Sequence, residues 1–240
     1  MFRKAYGYIL RHPATERGYW GNWYYKRRYE AVLESLSEFC GNKKTMLLDL
    51  GCGKGFYARY LRDEGSECSY IGCDLDGFSL RFAYRDQSID YVKCDLQQCP
   101  FRARSVSVVL CSEVLEHLPF PYATLEEISK ITTKTLMLTF PEEPLLSVFG
   151  DSHPEHISVI NKQLMTNLLV SKGFRIIESS QIFTSFIPCG ILEFLRVPRN
   201  NFTQTVVSKI DRLLERITPA RLVPHRTILI KAALAHSEEN

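Results

Sequence analysis

The 240-residue chain lacks the marks of several protein classes. No apolar run approaches the roughly 20 residues that a bilayer-spanning helix needs. The opening Met1-Phe2-Arg3-Lys4 carries charge with no apolar stretch behind it, so a secretory leader is not expected. Internal repeats and low-complexity tracts are absent, which excludes solenoids and biased linkers. The formal net charge is only +3, too small by itself to imply a nucleic-acid partner. The eight cysteines (Cys40, Cys52, Cys68, Cys73, Cys94, Cys99, Cys111, Cys189) include no C-x-x-C pair, so a zinc site built from them is not expected. They read as reduced thiols of a cytoplasmic protein. What is present suits one α/β domain over residues 1–240: 45% hydrophobic residues can fill a sizeable core, and 24% charged residues is ordinary.

Residues 1–44 are aromatic and basic and read as a helical cap, with Tyr25, Tyr29, Val32, Leu33 and Leu36 near helical spacing. A core over 45–182 then alternates short apolar runs with helical segments. Strands are expected at Thr45–Leu50, Ser69–Asp74, Ile89–Cys94, Val106–Cys111, Leu136–Phe140 and Phe174–Ile182. Helices are expected at Phe56–Arg62, Phe78–Arg85, Tyr122–Ile131 and Lys162–Ser171. Strands buried on both faces and alternating with helices imply a mostly parallel sheet covered on both sides. Residues 183–225 break the rhythm as an insertion with an amphipathic helix at about Thr205–Ile217, and Arg226–Ala233 reads as a last strand.

The strongest signal is Leu47-Leu48-Asp49-Leu50-Gly51-Cys52-Gly53-Lys54-Gly55, a buried strand running into Gly-x-Gly-x-Gly before a helix. In such sheets ligands sit at the carboxyl ends of the strands. Asp74 ends the next strand, near the separation expected for an acid that binds ribose hydroxyls, and Asp95 ends the third. A dinucleotide fingerprint would read G-x-G-x-x-G, with a pyrophosphate on the helix N-terminus. Here the third glycine comes one residue early, and Asp49 precedes the first by two. An acid there repels phosphate and suits a cation, so the pattern favours S-adenosylmethionine (SAM), which carries an ammonium and a sulfonium.

The run LLDLGCGKG resembles motif I of class I SAM-dependent methyltransferases. Asp74 matches that family's ribose-binding acid, and Cys94-Asp95-Leu96 its adenine-flanking segment. Val108 to Leu118 (VVLCSEVLEHL) is similar to the fourth strand and following loop of the large small-molecule subgroup. The resemblance implies a Rossmann-like seven-stranded sheet with an antiparallel last strand, helices on both faces and an N-terminal helical lid. It also implies that Asp49 and Gly51 meet SAM through water or its amino group, with Cys52, Gly53 and Gly55 in the loop. Asp74 and Leu75 would serve the ribose side, Asp95 and Leu96 the adenine, and the backbone at Ser112 and Glu113 the methionine end.

A hydroxyl acceptor needs a base or a metal to take its proton. Glu113, Glu116 and His117 fall at i, i+3 and i+4, which would put them on one face of a helical turn. Downstream, Gly150-Asp151-Ser152-His153-Pro154-Glu155-His156 offers histidines to the same pocket. In one reading His117 or His156, with Glu116, forms the acid/base machinery. In the other, Glu113, Glu116, His117 and His156 bind a divalent cation that lowers the acceptor's pKa, an arrangement similar to that of small-RNA 2′-O-methyltransferases and some quinone O-methyltransferases. In a third, Glu116 and His117 only cap the turn. The residues after the fourth strand are not the tetrad of amino-group DNA methyltransferases, and Pro188-Cys189 reads as a loop dipeptide.

The variable regions leave the acceptor open. Residues 19–29 (YWGNWYYKRRY) mix aromatics with Lys26, Arg27 and Arg28 and read as a lid over the cofactor rather than a surface for nucleic acid. Residues 183–226 hold Arg196, Arg199, Lys209, Arg212, Arg216, Arg221 and Arg226 against Glu193, Asp211 and Glu215, beside the apolar stretch Phe186–Leu195. That segment reads as a lid or as a peripheral contact with an anionic membrane. The expected function is SAM-dependent O-methylation of a small or lipid-linked molecule. The alternatives are a metal-assisted RNA 2′-O-methyltransferase and a non-catalytic SAM-binding partner subunit.

Overall fold

The structure is a computed structural model that describes residues 21–41, 44–142, 156–185, 192, 195–198, 200–218 and 225–235. Helix α1 (Gly21–Phe39) precedes the alternating core: β1 (Met46–Leu50), α2 (Phe56–Asp63), β2 (Ser69–Asp74), α3 (Gly77–Arg81), β3 (Ile89–Lys93) and β4 (Val106–Ser112). Then follow α4 (Pro121–Ile131), β5 (Thr132–Glu142), α5 (Lys162–Ser171), β6 (Phe174–Ser185), α6 (Asn201–Ile217) and β7 (His225–Leu234). The strands form one seven-stranded sheet ordered β3-β2-β1-β4-β5-β7-β6, in which β7 runs antiparallel to both of its neighbours. This is the Rossmann-like sheet that the sequence implied.

Adjacent residues of β1 show why helices cover both faces. Leu48 and Leu50 join Val109, Cys111, Leu125, Ile128, Leu138, Met165 and Leu169 in the core under α4 and α5. Leu47 points the other way and packs with Val108, Leu110, Val32, Leu36, Phe56 and Leu61 under α1 and α2. Each fully buried aliphatic side chain contributes roughly 2 kcal/mol. The alternation therefore fixes which way Asp49 points, because a strand turns successive side chains to opposite faces.

Helix ends follow local chemistry. Asp76 caps α3 by accepting from the Phe78 and Ser79 N–H groups at 2.9 and 3.1 Å. Asn161 caps α5, and Gly173 ends it at φ +85°. Asn200 and Thr203 form a reciprocal capping box that starts α6. Helix α3 is shorter than Phe78–Arg85: it stops at Arg81, and Phe82 is exposed rather than carried on a buried face. Strand β5 is longer than expected because β7 pairs along it from Thr135 to Glu142.

One expectation is corrected. Cys73 and Cys94, read as reduced thiols, are joined by a disulfide with Cα atoms 6.2 Å apart. The cause is topological. Cys73 lies one residue from the end of β2, and Cys94 follows β3, its parallel neighbour, with its N–H on the Asp74 carbonyl at 3.1 Å. Cys40, Cys52, Cys68, Cys99 and Cys111 are free thiols. No helix among the described residues is long and apolar enough to cross a membrane.

Candidate active site

The glycine-rich turn is held against the neighbouring strand by backbone. The Gly51 and Cys52 N–H groups both donate to the Cys73 carbonyl, at 2.7 and 3.0 Å. Gly51 lies at φ +74°, and a Cβ there would run into the Val114 side chain. A residue with a side chain is therefore excluded twice, by conformation and by space. The Gly53 N–H donates to Asp74 Oδ2 at 2.7 Å, while Asp74 Oδ1 accepts from the Asp76 N–H at 2.8 Å. Asp74 thus braces the loops after β1 and β2 together and stays half-exposed. Leu75 beside it is exposed. Asp95 accepts from the Gln97 N–H at 2.9 Å, and Leu96 is buried beneath it.

Asp49 is placed differently from the half-exposed acids. It is 1% exposed and accepts a hydrogen bond from the Tyr70 hydroxyl. Burial pushes its pKa up to about 7, the Tyr70 hydrogen bond works against that rise, and the charge of Asp74 adds to it. Cys52 is also buried, and burial raises its thiol well above the ordinary range.

At the end of β4, Ser112 Oγ lies 2.8 Å from Thr139 Oγ1 and 3.2 Å from the Tyr57 hydroxyl. Glu113 follows with φ +56°, a left-handed conformation that costs a residue other than glycine about 1–3 kcal/mol and that clusters at functional sites. Its Oε2 pairs with Arg28 of α1, while its Oε1 is buried with no hydrogen-bond partner among the described residues. The N-terminal helix therefore reaches the methionine end of the expected site through Arg28. Around it Tyr29 packs on Phe56 and Tyr57, with ring centroids 4.4 and 5.6 Å away.

The chemistry-bearing groups come next. A short 3₁₀ turn, Leu115–His117, carries Glu116 and His117. The Glu116 carbonyl accepts from the Ile157 and Ser158 N–H groups, each at 3.0 Å, which brings the downstream segment back onto the turn. His156 consequently packs edge-on to His117, with ring centroids 5.0 Å apart. One donor atom each from Glu116, His117 and His156 lie within 4.8 Å of one another, with Glu116 buried and both histidines half-buried. The single helical face expected for Glu113, Glu116 and His117 is not formed. The turn begins at Leu115, and the left-handed backbone at Glu113 sends its carboxylate to Arg28 instead. His153, Pro188-Cys189 and residues 186–191 lie outside the described residues, as do the side chains of Lys26 and Arg27. The Arg28–Glu113 pair had no signal in the sequence, since 85 residues separate its partners.

The residues present fit SAM. Acidic groups, not a pyrophosphate cradle, ring the glycine turn. The buried, unsatisfied Glu113 Oε1 suits an ammonium, and Asp74 and Asp95 remain accessible for hydroxyl and amino donors.

Comparison with known proteins agrees. Residues 48–136 match the family model described as a methyltransferase domain. A "probable S-adenosylmethionine-dependent methyltransferase" of Mycolicibacterium smegmatis is 26% identical over 165 residues, covering 67% of this chain and 63% of the relative. A ubiquinone biosynthesis O-methyltransferase of Aliivibrio fischeri is 29% identical over 110 residues, 43% of this chain and 45% of the relative. The Haemonchus contortus phosphoethanolamine N-methyltransferase 2, solved with SAM, superposes with a TM-score of 0.62 at 19% identity, covering 86% of this chain and 52% of that one. Residues 48–136 thus match a methyltransferase domain, and the chain is similar to SAM-dependent enzymes, a likeness that points to SAM as cofactor. It spans less than two thirds of the length of the mycobacterial relative.

Proposed function

We propose that the chain methylates an oxygen of a small or lipid-linked molecule, with the Glu116–His117–His156 cluster taking the acceptor's proton. The observation that carries this reading is the cluster itself, two imidazoles and a buried carboxylate gathered just past the end of β4. When bound, the cofactor supplies a methyl group on a sulfonium that a nucleophile displaces in line. Asp74 would hold the ribose, Asp95 the adenine amino group, and Glu113 the ammonium. An imidazole nitrogen of His117 or His156 accepts the hydroxyl proton, and the Glu116 carboxylate stabilises the cation so formed. Such base catalysis is worth about 10²–10⁴ in rate. The ubiquinone-pathway relative, named as an O-methyltransferase, supports an oxygen acceptor.

One observation favours a second reading. The same three donor atoms, a carboxylate oxygen and two imidazole nitrogens, are close enough to share one divalent cation. A cation there would lower the acceptor's pKa in place of a free base. The two readings are separated by a labelled-methyl transfer screen over lipid, glycan, RNA and protein fractions, repeated with EDTA and then with added Mn²⁺. Turnover indifferent to the chelator removes the metal. Transfer into RNA or protein alone would contradict the small or lipid-linked acceptor.

A further inference from the structure

Helix α6 buries one side and leaves an apolar stripe on the other. Val207 and Asp211 point inward and are almost fully buried, and the helix packs against β6. Phe202, Val206, Ile210, Leu213 and Ile217 recur at intervals of three and four, so they form one continuous stripe. Phe202, Leu213 and Ile217 are 76%, 59% and 68% exposed. At 100° per residue the stripe covers an arc of about 80°. Lys209, Arg212 and Arg216, all exposed, lie along one border of that arc. The neighbouring acid Asp211 is on the buried side. The outward surface of α6 therefore pairs an apolar stripe with a cationic border.

Topology fixes where the segment carrying α6 leaves and rejoins the sheet. The chain leaves β6 at Ser185 and enters β7 at His225, and those two residues pair with each other. Strand β6 runs parallel to β5 and β4, so this junction lies at the carboxyl edge of the sheet, the edge that carries the glycine turn, Asp74 and Glu113.

We infer that α6 docks the protein on an anionic lipid surface, its stripe entering the apolar boundary and Lys209, Arg212 and Arg216 meeting lipid phosphates. Charge complementarity selects this occupant. A second copy of the chain would bring the same three cations against their like, whereas an anionic bilayer offers both a low-polarity layer and opposite charge. Docking would hold the catalytic edge near the interface, where lipid-linked acceptors reside. The inference does not depend on methyl transfer.

The test is co-sedimentation of the full chain with vesicles of phosphatidylcholine alone and of equimolar phosphatidylcholine and phosphatidylglycerol, with sedimentation velocity of the lipid-free protein alongside. The expected result is binding to the anionic vesicles only, weakened by salt. The K209S/R212S/R216S variant should bind about 100-fold more weakly, at roughly fivefold per cation. Leu213→Asp should abolish sedimentation, and Phe202→Ser serves as a second apolar variant. Unchanged circular dichroism and SAM binding confirm that each variant is folded. Equal binding to both vesicle types, no binding to either, or binding indifferent to these substitutions overturns the inference. So does a concentration-dependent dimer that Leu213→Asp dissociates, which would give the stripe to a second copy.

Discussion

Replacing Asp49 with Asn isolates the titration of a single carboxyl. Burial raises the Asp49 pKa from 3.8 to about 7 in the folded protein, while in the unfolded chain it ionises at its ordinary value. Between those values the unfolded state gives up a proton that the folded state keeps, so stability falls as pH rises. The contribution is complete below about pH 4 and exhausted above about pH 7. At about 1.4 kcal/mol per pH unit, the interval amounts to about 4 kcal/mol. Asparagine keeps the shape and an oxygen acceptor toward Tyr70 but does not titrate. Urea unfolding across this range should show wild type and D49N converging in acid, with wild type losing about 4 kcal/mol relative to the variant by neutral pH. Profiles that run parallel would refute the assignment of a buried, protonated Asp49. Saturating SAM should flatten the wild-type slope, since a neighbouring cation favours the ionised carboxyl.

Three further outcomes follow from the same geometry. Gly51→Ala must adopt a left-handed backbone and displace Val114, at a combined cost of about 2–5 kcal/mol, and should show a lowered melting temperature together with lost SAM binding. Asp74→Ala removes a charged acceptor from the proposed ribose site and releases the Gly53 and Asp76 N–H groups; fluorescence titration should find SAM affinity reduced about 10–100-fold. Of His117→Ala and His156→Ala, the one that removes the base should lower kcat by about 10²–10⁴ while leaving the SAM dissociation constant within a few-fold. A histidine variant with unchanged kcat would take that ring out of the proton-transfer machinery.

Much of this was legible in the sequence because it is written in short-range pattern. The apolar run Leu47–Leu50 meeting Gly51, Gly53 and Gly55 announces a buried strand, a tight turn and a helix within a dozen residues. Asp74 and Asp95 close the next two strands by the same logic. What escaped depends on register and distance. The Cys73–Cys94 disulfide exists because β2 and β3 are parallel neighbours of particular lengths, which spacing alone does not encode. Glu113 looked like a member of a helical triad because spacing assumes a helix. Its left-handed backbone breaks that assumption and hands its carboxylate to Arg28, a residue on a helix 85 positions earlier. The return of His156 to His117 was among the readings of the sequence, but the two backbone hydrogen bonds to the Glu116 carbonyl that hold it there were not. Likewise, the amphipathic character of α6 was visible, but which of its apolar residues face inward required the packed sheet.

Isothermal titration of the purified chain with SAM, its demethylated product and a nicotinamide dinucleotide bears most directly on the acids around the glycine turn. The account predicts one site per chain for SAM and its product, and no heat from the dinucleotide. Saturable binding of the dinucleotide with none of SAM would contradict it, because the carboxylates of Asp74, at the end of β2, and Glu113, just past β4, would then be facing phosphates.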